Sequence, residues 1–112
     1  VGQAYAGQPH HLTDMIVQAI AHRGFSYLHI LSPCVTFDKT SMTYQNLNVA
    51  VRDLPANHDP SDMIAAMTQA MDVTTPALGL LYREERPTLN DAMDEITRAA
   101  GGKPASERAA VA

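Results

Sequence analysis

The chain has 112 residues, 46% apolar and 18% charged, with a net charge of −4, the balance of one small globular domain or of a part of a larger one. Its eight Lys and Arg form no cluster, which argues against a nucleic-acid binder, and no run approaches the roughly 20 apolar residues a membrane span needs. A single cysteine excludes an internal disulfide and makes a reducing compartment, the cytoplasm, the expected location.

The first residues, Val1-Gly2-Gln3-Ala4-Tyr5, carry neither the charged nor the apolar region of a signal peptide. They begin without Met and in mid-pattern, which reads as a fragment, a processed chain or a truncated record. A short strand or strand end is expected over 1–7. Leu12, Met15, Ile16, Ala19 and Ile20 then recur at helical spacing. With Pro9 suited to the start and Gly24 to the stop, they predict a helix over about 10–23. Residues 25–31 are aromatic and aliphatic with a poor helical stripe, which predicts a buried strand ended by Pro33. Helix followed at once by buried strand points to an α/β structure with a parallel sheet.

Thr, Ser, Asn and Asp dominate 38–46, which reads as loop, and Leu47, Val49, Ala50 and Leu54 suggest irregular helical turns before a turn at 55–58. Asp59 as N-cap and Pro60 at the first position predict a helix to about 72, with Met63, Ile64, Met67, Ala70 and Met71 on one stripe. Residues 77–82 read as a second buried strand. Thr88 with Asp91 resembles a capping box opening a last amphipathic helix, which Gly101-Gly102 stops. The end of the chain, 102–112, is expected to be a disordered tail.

Among candidate chemical groups, His10 and His11 are adjacent, so on a helix they point apart and cannot share one ion. His29 lies on an apolar strand as a layer-facing histidine, with a ligand or proton-shuttle role as the alternative. His58, beside Asp59, reads as a solvated turn residue. The Met63–Met67–Met71 stripe reads as core packing, and Glu84-Glu85-Arg86 as a solvated strand exit. Ser32, His29 and Asp38 invite comparison with a catalytic triad, but no Gly-x-Ser-x-Gly elbow accompanies them. Cys34 stands apart, because it lies just past the C-terminal end of a buried strand, where open α/β sheets place ligand sites. Spacing alone leaves it either a small buried hydrophobe or a reactive or ligating thiol. One cysteine cannot hold zinc or an iron–sulfur cluster unaided, and no phosphate-binding glycine loop is present.

The run Gly24-Phe25-Ser26-Tyr27-Leu28-His29-Ile30-Leu31-Ser32-Pro33-Cys34-Val35-Thr36-Phe37 resembles a segment of the β subunits of 2-oxoacid:ferredoxin oxidoreductases. Gly7-Gln8-Pro9-His10-His11-Leu12, Thr43-Tyr44, His58-Asp59-Pro60-Ser61-Asp62 and Arg86-Pro87-Thr88 fit the same family, so the resemblance runs from about residue 1 to residue 100. Ser-Pro-Cys-Val-Thr-Phe is its specific part. The resemblance implies an enzyme that decarboxylates a 2-oxoacid, of 2-oxoglutarate type, with thiamine diphosphate and Mg²⁺. Electrons would pass through a [4Fe-4S] cluster to ferredoxin, coenzyme A would take the acyl group, and an α subunit would be the partner. Cys34 would be the last cluster ligand in chain order, hence both its cofactor-binding and its metal residue, and no catalytic residue is assigned. The family's other three cluster cysteines and its Gly-Asp-Gly thiamine-phosphate motif lie upstream of the matched region. Asp38 stands where many relatives carry Asn.

The implied fold is α/β: residues 1–37 as the C-terminal portion of a thiamine-diphosphate-binding parallel-sheet domain, and 38–101 as a small α/β C-terminal extension. Two rival readings are a structural or interaction module inactive when isolated, and a small enzyme using Cys34 as nucleophile with His29.

Overall fold

The computed structural model describes residues 1–40 and 43–108. Ser41 and Met42, within the expected loop, and 109–112, within the expected tail, lie outside the described residues. The chain divides into two compact units, one of 1–22 and 26–84 and one of 23–25 and the residues from Glu85 on.

The first unit is built on a four-stranded sheet among the described residues, ordered β2-β1-β4-β3. Strand β1 (Gly2–Tyr5) is followed by helix α1 (Pro9–Ala21) and strand β2 (Leu28–Leu31). β1 and β2 pair in parallel from Gly2 opposite Leu28 to Tyr5 opposite Leu31, with α1 as the crossover that parallel strands require. Then come helix α2 (Tyr44–Ala50), strand β3 (Arg52–Asp53), helix α3 (Met63–Ala70) and strand β4 (Ala77–Leu80). β3 and β4 pair in parallel, with Arg52 opposite Ala77. β4 joins β1 antiparallel, with Gly2 opposite Leu80. The α/β class is therefore as expected, and the sheet is mixed at a single junction. Gly79 on β4 has φ +133°, open to glycine and strained for other residues, and a Cβ there would press on Leu54 Cδ1 at 3.0 Å.

The core of this unit is Tyr5, Leu31, Leu47 and Leu78, with Val51 against it. All four residues of β1 are buried, as befits an inner strand. β2, by contrast, lies at the sheet's edge, and only Leu31 of it is buried. The expectation of a buried strand there gives way because one flank of β2 has no partner strand among the described residues. The α1 stripe is likewise half covered. Met15 is buried, whereas Ile16 and Ile20 are exposed, since two short strands are too narrow a floor for the whole stripe.

Three local expectations are corrected. Helix α2 begins at Tyr44, inside the expected loop, because the Thr43 hydroxyl caps it by accepting from Asn46 N at 3.2 Å. The Asp59-Pro60 start is displaced to Asp62, whose carboxylate accepts from Ile64 N and Ala65 N at 2.9 and 3.0 Å. Asp59 instead closes the preceding turn by accepting from the Ser61 amide and hydroxyl. The methionine stripe is not core. Ala66 is the one buried residue of α3, and Met63 and Met67 wall a shallow apolar groove with Val1, Leu81 and Tyr82.

The second unit holds helices α4 (Leu89–Ala99) and α5 (Ala105–Arg108). The capping box expected at Thr88 and Asp91 is present, and the Asp91 carboxylate also takes the Arg23 guanidinium. Thr88's amide above all, with its hydroxyl and Arg23, holds the Asp91 carboxyl below its ordinary range. Within the part of the expected tail that is described, α5 spans Ala105–Arg108. Pro104 is fully buried, and Arg98 pairs with Glu107 at 3.2 Å.

Two outcomes follow from this packing. A Cβ at Gly7 would collide with the buried Tyr5 ring, so Gly7→Ala should cost about 1–3 kcal/mol in urea unfolding, the usual range for overpacking a core. The Asp72 carboxyl is pulled down to about 2, chiefly by the Thr75 amide and hydroxyl, then by Arg52 and the Thr74 amide. A depressed pKa means that the folded state binds the proton more weakly than the unfolded chain. This stabilisation is complete above the ordinary value of 3.8 and fades as pH falls towards 2. Thermal unfolding of Asp72→Asn should accordingly lose less stability than the parent between about pH 4 and pH 2.

Candidate functional site

Parallel pairing places the C-terminal ends of β1 and β2 side by side, and Ala6 N donates to Leu31 O at 2.9 Å to continue the ladder by one residue. Two segments singled out in the sequence therefore leave the sheet together, Gly7-Gln8-Pro9 after β1 and Ser32-Pro33-Cys34 after β2. Gln8 N donates to Tyr5 O at 3.0 Å and turns the first segment into α1. A third segment joins them, because the Tyr5 hydroxyl donates to Tyr44 O at 3.2 Å with the two rings 6.0 Å apart.

Cys34 is a free, exposed thiol. The chain turns back immediately after it, with Asp38 N donating to Cys34 O at 3.0 Å. Asp38 Oδ1 accepts from Thr40 N at 2.9 Å, and Asn46 Nδ2 donates to Thr40 O at 2.6 Å, so α2 anchors the far end of the turn. Within the turn the Phe37 amide first, then the amide and hydroxyl of Thr36, hold the Cys34 thiol below its ordinary pKa. Dipoles that favour a thiolate suit a metal ligand, since thiols bind metal deprotonated. The exposed Cys34 sulfur thus fits one position of an iron–sulfur cluster. Among the described residues no three His, Cys, Asp or Glu side chains gather closely enough to hold a metal ion, so those residues provide one thiolate and no complete ligand set.

The histidines have other settings. His29 Nδ1 meets Gln3 Oε1 at 3.0 Å, and Gln3, buried on β1, donates through Nε2 to Ala77 O at 3.1 Å. That chain of bonds assigns the Nδ1 proton to His29 and ties β2 to β1. The buried glutamine was illegible in the sequence, where Gln3 is one polar residue in a short strand. His58, expected to be solvated, meets Leu81 O through Nε2 at 2.9 Å. It lies at the other end of the sheet from Cys34, because β4 runs antiparallel to β1 and Leu81 N donates to Val1 O at 3.0 Å. His10 is exposed in the first turn of α1, and His11 Nδ1 is buried without a hydrogen-bond partner.

The lowered thiol can be read directly. The pH profile of iodoacetamide alkylation at Cys34 should have its midpoint below that of the urea-unfolded chain, and Thr36→Val should move it part of the way up. Coincident folded and unfolded profiles would contradict the turn's influence on the sulfur.

Three comparisons bear on this geometry. The family described as the C-terminal region of the pyruvate ferredoxin oxidoreductase β subunit matches residues 34–98. A solved structure, 2-oxoglutarate:ferredoxin oxidoreductase from Magnetococcus marinus with 2-oxoglutarate, coenzyme A and succinyl-CoA bound, is 36% identical with a TM-score of 0.82. That match covers 93% of the present chain and 36% of the other, so the chain spans about a third of its length. No curated protein sequence matches. No helix among the described residues is long and apolar enough to cross a membrane. With a family match over more than half its length and a structural relative at this identity, the chain belongs to the β-subunit family of the 2-oxoacid:ferredoxin oxidoreductases, in its C-terminal part.

Proposed function

We propose that the chain serves a 2-oxoglutarate:ferredoxin oxidoreductase, to which it contributes Cys34 as one thiolate ligand of a [4Fe-4S] cluster. The observation that carries this reading is Cys34 itself, a free thiol at the C-terminal end of the parallel pair, held by a turn whose amides favour the thiolate. It is supported by the relative solved with 2-oxoglutarate, coenzyme A and succinyl-CoA. Bound there, the cluster would accept and pass single electrons, with ferredoxin as the acceptor. The remaining cluster ligands, thiamine diphosphate and Mg²⁺ would be held outside this chain, and an α subunit would make up the rest of the enzyme.

In this reading the chain's own residues hold and orient. Pro33 limits the backbone before the ligand. The Cys34–Asp38 turn, anchored through Thr40 and Asn46 to α2, sets the direction of the sulfur. Residues 1–37 would complete the thiamine-binding domain and 38–101 would form an extension that lends β3 and β4 to the same sheet; the family match over 34–98 supports a boundary near residue 34. The cytoplasm is the compartment that suits a free thiol and an oxygen-sensitive cluster.

The test is Cys34→Ala in the assembled complex. We expect loss of that cluster's electron paramagnetic resonance signal and of ferredoxin reduction, with the chain still folded because the residue is exposed. An intact cluster with full ferredoxin reduction would refute the assignment.

A further inference from the structure

We infer that the free flank of β2 pairs, in the complete β subunit, with a strand from the part of that subunit which precedes residue 1, so that β2 is an inner strand of a wider sheet. The inference rests on the family to which the chain belongs and not on the ligand role proposed for Cys34.

Backbone geometry supplies the first support. Tyr27 O accepts from Gly2 N and Leu31 O from Ala6 N, both at 2.9 Å. In a parallel pair, alternate residues of a strand turn their N–H and C=O to the same flank. Tyr27, His29 and Leu31 therefore address β1, and Leu28 and Ile30 turn theirs outward. β2 stands last in the strand order, so among the described residues no strand meets those outward groups. Composition supplies the second. A true sheet edge is guarded by charge, proline or a bulge. Residues 25–32 hold no Lys, Arg, Asp, Glu or Pro, and the register runs without a bulge from Gly2 opposite Leu28 to Tyr5 opposite Leu31. Tyr27 is 54% and Ile30 40% exposed. Unmet donors and acceptors at strand spacing, flanked by apolar side chains, fit another strand. α1 crosses from β1 toward this same flank and leaves Ile16 and Ile20 exposed, so a further strand also widens the floor beneath it.

The occupant follows from the length of chain outside this structure. The present chain spans about a third of the solved relative, and its residues 34–98 match the C-terminal region of the family. The preceding part of the same subunit is thus the strand donor.

The test is residue-resolved amide hydrogen exchange on the complete β subunit, alone and in the complete complex, with Ile30→Pro and Ile30→Val compared for assembly. Proline at position 30 removes an outward N–H and leaves the bonds to β1, a change that an edge strand tolerates and an inner strand does not. The Leu28 and Ile30 amides should be protected as well as those of His29 and Leu31 in both samples. Ile30→Pro should lose most of the folded subunit, and Ile30→Val should match the parent. Leu28 and Ile30 amides that exchange far faster than their neighbours would overturn the pairing, as would Ile30→Pro assembling at the parent yield. Protection that appears only with the α subunit, or that falls on dilution of the β subunit, would give the flank to the α subunit or to a second copy and overturn it equally. Protection retained in Cys34→Ala together with an intact cluster would uphold the pairing and refute the ligand role alone.

Discussion

The parallel pairing of β1 with β2 is the constraint on which the rest depends. It is only four residues long, yet it sets Tyr5 beside Leu31 and so brings two loops 25 positions apart in sequence to one edge of the sheet. Parallel strands need a crossover, which makes α1 obligatory, and a helix over β1 and β2 buries Met15. Gln3 reinforces the pair from inside by joining His29 on one side to Ala77 on the other. Tyr5 closes the end of the pair with its ring buried, its hydroxyl on Tyr44, and Gly7 folded against it. Burial pushes the Tyr5 phenol above its ordinary pKa, which keeps it a neutral donor to that carbonyl.

The Cys34 turn extends the same logic to chemistry. Its dipoles come from the backbone and one hydroxyl, with no charged group among their causes. His29 bonds Gln3 through Nδ1, and no hydrogen bond joins it to Cys34 among the described residues, so the geometry gives a Cys34–His29 nucleophilic pair no support.

Apolar residues that face solvent form a second pattern. Ile16, Val17 and Ile20 on α1, Met63 and Met67 on α3, and Val35 and Phe37 beside Cys34 are all exposed. Helical periodicity marks such stripes correctly but cannot say what lies opposite them, because period records which face is apolar and not whether a partner covers it. This is why the methionine stripe read as core and is the wall of an open groove.

Much of the architecture was legible from local signals alone: the α1 stripe, strands β2 and β4, and the capping box at Thr88 and Asp91, whose partners lie three residues apart. The Ser-Pro-Cys-Val-Thr-Phe run marked the family and singled out Cys34 for the same reason, being contiguous. Tertiary structure decided what depends on residues distant in sequence. It made β2 an edge, turned β4 antiparallel to β1, recruited Arg52–Asp53 as a strand, and moved the α3 cap from Asp59 to Asp62. Two residues of strand have no detectable period, and two aspartates three positions apart offer equally good caps until packing chooses one. The sequence by itself determined the family and the presence of helices α1, α3 and α4, since those are properties of neighbours in the chain. Only the folded sheet decided that Gly7, Tyr44 and Cys34 share one edge, because strand pairing acts between segments that the sequence holds apart.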